Sequence, residues 1–159
     1  PGDSTLTNTG DSTRGCTIKA DCNEGVPPAN EDCATATVVQ AGNTPFSNAI
    51  AMPQGVGAGN ICGQPWSKDV WFKYTSSNGG AVGLAIVSDP PFDTMVQVFT
   101  ATSTCAAPVQ LLCEDDDASC GACHPIISWT ATPGATYLIR VMCWSDSEGG
   151  FANLSITDP

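Results

Sequence analysis

The sequence predicts an all-β domain, a β-sandwich of eight or nine mostly antiparallel strands behind an extended N-terminal arm. From residue 30 onward, short runs rich in Val, Ile, Thr and aromatic residues alternate with Gly, Pro, Asn and Asp. Several runs alternate with a period of two, and no segment has a helical period. Two packed sheets allow this many strands to bury one face each, so a sandwich is the expected architecture.

Nine strands are expected along the body of the chain. They are predicted at residues 35–40, 44–51, 69–76, 81–88, 93–100, 108–113, 125–132, 136–143 and 150–157. In the third, Val70, Phe72 and Tyr74 alternate with residues that point to the opposite face. In the eighth, Tyr137 and Ile139 alternate in the same way. Each strand therefore presents one face to a core and the other outward.

The N-terminal arm, residues 1–29, differs in composition from the body, residues 30–159. It is rich in Thr, Ser, Asn and Gly, and Pro27-Pro28 forms a stiff hinge into the body. Such a polar segment buries too little apolar surface to fold alone. We therefore expect the arm to lie on a surface, either that of its own body or that of a neighbouring subunit.

The net charge restricts the partners of this protein. It is −11 over 159 residues, with only five Lys and Arg. Nucleic acids and anionic membranes are disfavoured because binding them needs a basic surface. A cation such as Ca²⁺, or a basic partner, suits the charge. No apolar run approaches the length of a membrane span.

The nine cysteines predict disulfides and export. A reducing cytosol would not support so many unless most bound metal, and their spacings do not form a zinc site. The start at Pro1, without an initiator Met, fits a secreted chain whose signal peptide has been removed. We therefore expect an extracellular or cell-surface protein.

Six short motifs follow one another through the body. They are NEDC at 30–33, TPFS at 44–47, DVWFKYT at 69–75, FDTMVQVF at 92–99, LCEDD at 112–116 and TPGATYLIRV at 132–141. In this order the series resembles bacterial pre-peptidase C-terminal (PPC-like) domains, especially the cysteine-rich versions in secreted proteins, over residues 30–157. The resemblance implies a jelly-roll-like sandwich with no chemistry of its own. It also implies calcium binding, since some members bind that ion.

A calcium site is expected around residues 113–124, where four adjacent carboxylates lie beside three cysteines and the only histidine. By the resemblance, Asp93 and the run from Glu114 to Asp116 match acidic motifs of the family, with Glu114 in place of the usual Asn. Calcium takes six to eight hard oxygen ligands from flexible loops. The candidate ligands are Asp93, Glu114, Asp115, Asp116, Asp117, Glu31 and Asp32. The alternative is a solvated acidic turn.

The same stretch contains C-x-x-C-H, from Cys120 to His124, the attachment signature of a c-type haem. His124 would be one axial ligand and a methionine the other. Pro125 follows at once and a predicted β-strand begins, and disulfide partners are available for the cysteines. We therefore disfavour haem and expect calcium.

The cysteines are expected to form staples, although sequence cannot give their connectivity. The expected pairs are Cys16–Cys22, Cys33–Cys62, Cys105–Cys113 and Cys123–Cys143. The last pair assumes that residues 132–135 turn a hairpin. Cys120 is then left over and is the candidate for an intermolecular bond.

Two functions remain, and neither is enzymatic, because no G-x-S-x-G elbow or other catalytic set occurs. In the first, the chain is a structural subunit of an extracellular filament, and its arm docks on another copy. In the second, it is a polysaccharide- or collagen-binding module of a secreted hydrolase. The four tryptophans that could stack on sugars are Trp66, Trp71, Trp129 and Trp144. Of these, Trp71 and Trp129 are expected in the core.

Overall fold

The computed structural model describes residues 25–53, 61–88, 91–116 and 124–159. Over these ranges the chain forms nine strands: β1 Thr37–Val39, β2 Gly42–Ser47, β3 Ser67–Thr75, β4 Gly80–Ser88, β5 Thr94–Phe99, β6 Gln110–Glu114, β7 Ile126–Ala131, β8 Thr136–Cys143 and β9 Phe151–Thr157. Each predicted strand is confirmed, with ends that differ by a few residues. A single 3-10 turn, Cys33–Thr35, precedes β1.

The strands form two sheets, which confirms the predicted β-sandwich. One sheet has the order β1-β3-β8-β5-β6 and the other the order β2-β9-β4-β7. Neighbouring strands in both sheets are antiparallel, except that β1 and β3 are parallel. In the described part of the chain, no helix is long and apolar enough to cross a membrane.

The main core lies between the two sheets. Tyr74 packs edge-on against Trp129 with ring centroids 6.4 Å apart, and Trp129 packs edge-on against Tyr137 at 5.5 Å. Val70 and Phe72 belong to the same core as Tyr74, so the period-two alternation predicted for β3 is confirmed. Edge-to-face aromatic pairs add stability beyond the area that they bury.

The outer face of the five-stranded sheet is buried too, under loops. Trp71 and Leu138 point to this face and pack beside Cys33 and Phe99 in a second cluster. The Trp71 and Phe99 rings stack with centroids 5.5 Å apart. The residues of β3 and β8 whose side chains point away from the main core are therefore largely buried as well.

Two disulfides tie these loops down, with partners different from those predicted. The structure joins Cys33 to Cys105 and Cys62 to Cys113, so the expected pairs Cys33–Cys62 and Cys105–Cys113 are wrong. The expectation paired cysteines that are near in sequence. Instead, the turn before β1 and the loop after β5 meet over Trp71. Each bond therefore links a covering loop to a distant part of the chain.

The expected pair Cys123–Cys143 is also wrong, because Cys143 is a free, buried thiol. The predicted hairpin does not exist: β7 lies in the four-stranded sheet and β8 in the five-stranded sheet. The Cys143 sulfur instead accepts a hydrogen bond from Asn48 Nδ2 at 2.9 Å. Burial, the largest cause, raises the pKa of the Cys143 thiol to about 12.

The free thiol of Cys143 accounts for the odd number of cysteines. Removing it and the four bonded cysteines from nine leaves four. These are Cys16, Cys22, Cys120 and Cys123, which lie outside the described residues, as does most of the arm. The odd number of cysteines is therefore no longer a reason to expect that Cys120 is the unpaired one. The intermolecular bond of Cys120 and the pair Cys16–Cys22 stay predictions.

Candidate metal site

The pairing of β5 with β6 brings distant carboxylates together. The two strands are antiparallel, with Val96 opposite Glu114, so the start of β5 lies beside the end of β6. Asp93 directly precedes β5, and Asp115 and Asp116 directly follow β6. One oxygen from each of these three aspartates lies within 4.8 Å of the other two.

Two carboxylate oxygens of these aspartates are inaccessible to solvent. Oδ1 of Asp93 and Oδ1 of Asp115 are buried, and neither has a hydrogen-bond partner among the described residues. Burial, followed by the charges of Asp93, Asp116 and Glu114 in that order, raises the pKa of Asp115 to about 6. Burial also raises the pKa of Asp93, together with the charges of Asp116 and Glu148. The group thus concentrates negative charge that a cation would neutralise.

His124 lies beside this group, at the start of the segment that leads into β7. Its Nε2 is 3.1 Å from Ser88 Oγ and 3.3 Å from the Ser88 amide nitrogen, and its Nδ1 is 3.4 Å from Thr94 Oγ1. The imidazole acts on Asp93 in the direction opposite to burial, lowering its pKa. Cys120 and Cys123 lie outside the described residues, so the expectation about haem stays a prediction.

Glu31 and Asp32, two predicted ligands, have other partners. Glu31 Oε1 accepts a hydrogen bond from the Met52 amide at 2.5 Å. Asp32 Oδ1 accepts one from the Ala34 amide at 2.8 Å and caps the 3-10 turn. The structure does not bring them into the group of three. Asp117 lies outside the described residues.

Glu148 is a neighbour of the group that sequence reasoning missed. It lies in the loop between β8 and β9, and its charge raises the pKa of Asp93. Its backbone oxygen accepts a hydrogen bond from Lys68 Nζ at 2.6 Å. No sequence signal marks it, because it lies with Asp146 in a different loop, far along the chain from the acidic run that begins at Glu114.

The three aspartates offer only carboxylate oxygens. Such hard donors suit Ca²⁺ and Mg²⁺ and do not suit the softer metals that select sulfur or imidazole. The residues present therefore fit the expected calcium ion. Asp93, Asp115 and Asp116 would hold it, and it would supply charge neutralisation.

The tryptophans do not form a common platform. Trp71 and Trp129 are core residues, as expected. Trp66 covers the guanidinium of Arg140, whose Cζ lies 3.9 Å from the ring centroid. Trp144 is 44 % exposed and is the most exposed tryptophan of this set.

Comparison with solved structures finds chains that are similar to this one. No family model matches the chain, and no curated protein matches it significantly. A solved pre-peptidase C-terminal domain of a collagenase from Bacillus anthracis is similar, with a TM-score of 0.51 and 10 % identity over 77 % of this chain and 94 % of that one. A periplasmic inhibitor of g-type lysozyme from Aeromonas hydrophila has a TM-score of 0.42 and 12 % identity over 77 % and 97 %.

The similarity to the collagenase domain confirms the fold that the sequence motifs implied. This chain is a β-sandwich whose fold is similar to that of a pre-peptidase C-terminal domain. At 10 % identity the likeness concerns the fold alone.

Proposed function

We propose that this chain is a non-enzymatic extracellular structural protein. It is a calcium- and disulfide-stabilised β-sandwich subunit that self-assembles into a filament, with its N-terminal arm docking on a neighbouring subunit. The observation that carries the proposal is the group of Asp93, Asp115 and Asp116, in which two buried oxygens have no partner among the described residues.

Electrostatics supports calcium at this group. Two unit charges less than 5 Å apart repel by about 3–4 kcal/mol at an effective dielectric of 20. A divalent cation replaces that repulsion with attraction to every carboxylate. It also gives a partner to the buried oxygens of Asp93 and Asp115, whose isolation is otherwise unfavourable. Calcium is thus expected to fasten the β5–β6 end of the sheet.

The disulfides support a location outside the cytosol. Such bonds persist in oxidising compartments. Cys33–Cys105 spans 72 residues and Cys62–Cys113 spans 51. In the chain-entropy picture, closing loops of this length stabilises a domain by about 4 kcal/mol each. That stability is useful to a protein without chaperones around it.

The open sheet edges and the arm support assembly. In the described chain, β1, β6, β2 and β7 are edge strands. The 24 residues ahead of Gly25 span up to about 80 Å when extended, roughly twice the width of a body of this size. An arm of that reach can add a strand to the edge of another subunit. A head-to-tail contact of this kind generates filaments when the rotation between subunits does not close into a ring.

Two experiments test the two parts of the proposal. Electron microscopy and sedimentation of the full-length protein should show filaments, and deletion of residues 1–24 should abolish them. Thermal unfolding in EDTA should begin at a lower temperature than in Ca²⁺. A monodisperse full-length monomer would contradict assembly, and an unchanged unfolding temperature over a broad range of Ca²⁺ would contradict the metal site.

A binding module of a secreted hydrolase is the second candidate. The fold shared with a collagenase domain favours it, and Phe151 is an exposed aromatic residue beside a depression of about 450 Å³. Insoluble collagen or polysaccharide should then retain the protein even when residues 1–24 are deleted. Loss of retention in a Phe151→Ala variant would place the ligand at this depression.

A further inference from the structure

A groove opens on one side of the sandwich, between the edge strands β1 and β2. It has a volume of about 1050 Å³ and is lined by fifteen described residues, all uncharged. Phe151 is 80 % exposed there, Val26 is 61 % exposed and Ile50 is 38 % exposed. Solvent-facing apolar side chains gathered in one groove are typical of a docking surface.

The groove exists because neither sheet is fully closed on this side. β1 has three residues and pairs only with the Phe72–Tyr74 half of β3. In β2, Pro45 has no amide hydrogen to offer a further strand. Phe46 and Phe72, whose rings lie 5.4 Å apart, both line the groove, so the edge of the main core reaches its inner wall.

The chain itself runs along this groove. Residues 25–30 line it, so the described part of the chain begins at its rim. Asn30 fixes this wall to β3: its carbonyl accepts a hydrogen bond from the Trp71 amide at 2.7 Å, and its Nδ2 donates to the Trp71 carbonyl at 2.9 Å. Each subunit therefore holds an apolar groove and the root of an arm at one place.

We propose that this groove is the acceptor site for residues 4–10 of the arm of a second copy, with Leu6 as the anchoring side chain. The inference rests on the proposed assembly and names its contact. Residues 4–10, Ser-Thr-Leu-Thr-Asn-Thr-Gly, form an uncharged run between Asp3 and Asp11.

The chemistry of segment and groove agrees. An uncharged segment enters an uncharged groove without the desolvation that a buried charge would require. The three threonines of the segment favour an extended backbone. Leu6 adds an apolar side chain beside Ile50 and Phe151, and burying a leucine contributes about 1.5–3 kcal/mol. Backbone contacts with the groove walls supply the rest of the affinity.

The test uses two full-length variants that break opposite sides of the contact. Leu6→Asp spoils the arm and leaves the groove intact, and Ile50→Asp spoils the groove and leaves the arm intact. In sedimentation velocity, each variant alone should remain monomeric at concentrations where the wild type assembles. Their equimolar mixture should form a species of twice the monomer mass and nothing longer, because only one productive contact is available.

Ile126→Asp is the matched control. Ile126 is 62 % exposed on β7, the opposite edge of the four-stranded sheet from β2, so this variant should assemble like the wild type. Phe151→Asp is the second groove variant. Circular dichroism in the near ultraviolet verifies that each is folded, and Phe151→Asp replaces Ile50→Asp if the latter does not fold.

The outcomes separate the two proposals. A wild type that stays monomeric overturns the assembly and this contact together. A wild type that assembles while both groove variants also assemble overturns the groove and leaves the assembly standing. Assembly by Leu6→Asp overturns the named segment. If only Ile126→Asp loses assembly, the acceptor site lies at β7, and the groove is overturned as the acceptor. If the equimolar mixture forms no dimers, the arm does not dock on a second copy, and the proposed contact is overturned.

Discussion

Arg140 Nε donates a hydrogen bond to Asp69 Oδ2 at 2.8 Å, and neither side chain is more than 1 % exposed. The guanidinium carbon lies 3.9 Å from the centroid of the Trp66 ring and 5.1 Å from that of Trp71. Burial lowers the pKa of Arg140, and the charge of Asp69 and its hydrogen bond oppose that effect. The two residues thus form a buried ion pair under the loops of the five-stranded sheet.

Removing one partner of this pair should destabilise the protein strongly. Asp69→Ala removes the buried carboxylate to which Arg140 Nε donates, and we expect the free energy of unfolding to fall by about 3–5 kcal/mol. Urea denaturation at pH 7 with the disulfides intact measures it. The double variant Asp69→Leu with Arg140→Met should recover much of the loss, since it buries no charge. A loss below about 1 kcal/mol for the single variant would contradict this account.

The proposed metal site predicts effects of opposite sign with and without calcium. Asp115→Asn removes repulsion from the group, so in EDTA the variant should unfold at the same temperature as the wild type or higher. It also removes a ligand, so its stabilisation by Ca²⁺ should largely disappear. Differential scanning calorimetry at several Ca²⁺ concentrations measures both.

Glu31→Gln is the control for the metal site. Glu31 was expected among the ligands, but its carboxylate accepts a hydrogen bond from the Met52 amide, away from the three aspartates. Its calcium response should therefore equal that of the wild type. An equal loss in both variants would mean that the ligand set extends to Glu31.

The hydrogen bond between Tyr74 and Asp158 predicts that the protein loses stability at alkaline pH. Tyr74 Oη donates to Asp158 Oδ2 at 2.5 Å, and burial followed by this hydrogen bond raises the pKa of Tyr74 from 10.0 to about 12. A raised folded pKa gives stability that is complete below pH 10 and is lost as the pH rises through 12.

Tyr74→Phe should lack this alkaline loss. At pH 8 the variant should be less stable than the wild type by about 1 kcal/mol, the usual contribution of one hydrogen bond. Urea midpoints between pH 8 and 12 should show the two proteins converging, because other titrating groups are common to both. A constant difference across this range would contradict the shifted phenol.

The observed cysteine pairing can be tested by removing one bond. Cys62→Ala with Cys113→Ala opens a 51-residue loop and should lower the free energy of unfolding by about 4 kcal/mol. Urea denaturation gives the value, and Cys143→Ala is the control that deletes a cysteine without deleting a bond. Mass spectrometry of unreduced peptides should find Cys62 joined to Cys113, and a peptide joining Cys105 to Cys113 would contradict the structure.

The strands were predictable because β-rich runs and turn residues alternate along the whole body. Val70 and Phe72 reach the core because a pleated strand repeats every two residues, which is a local property. The burial of Arg140 was not predictable in this way. Its solvent-free position depends on loops that fold back over the sheet, and local sequence does not encode that covering.

The acidic site was predictable only where strand neighbours determine it. Asp93 and Asp115 meet because consecutive antiparallel strands bring the start of one to the end of the other. Glu31 was misplaced because its position depends on how the chain enters the body. The disulfide partners were misjudged for a related reason: Cys33 meets Cys105 through the three-dimensional path of two loops.

The Cys33–Cys105 bond gives the domain a mechanical character. Tension on the chain ahead of Gly25 would load the paired hydrogen bonds between Asn30 and Trp71. If these break, only residues 25–32 can be drawn out before the load reaches Cys33, where it passes through sulfur to the loop after β5. A covalent bond withstands forces that rupture hydrogen bonds one by one. Under tension, a chain of such subunits would therefore part at the contacts between them while each sandwich kept its shape.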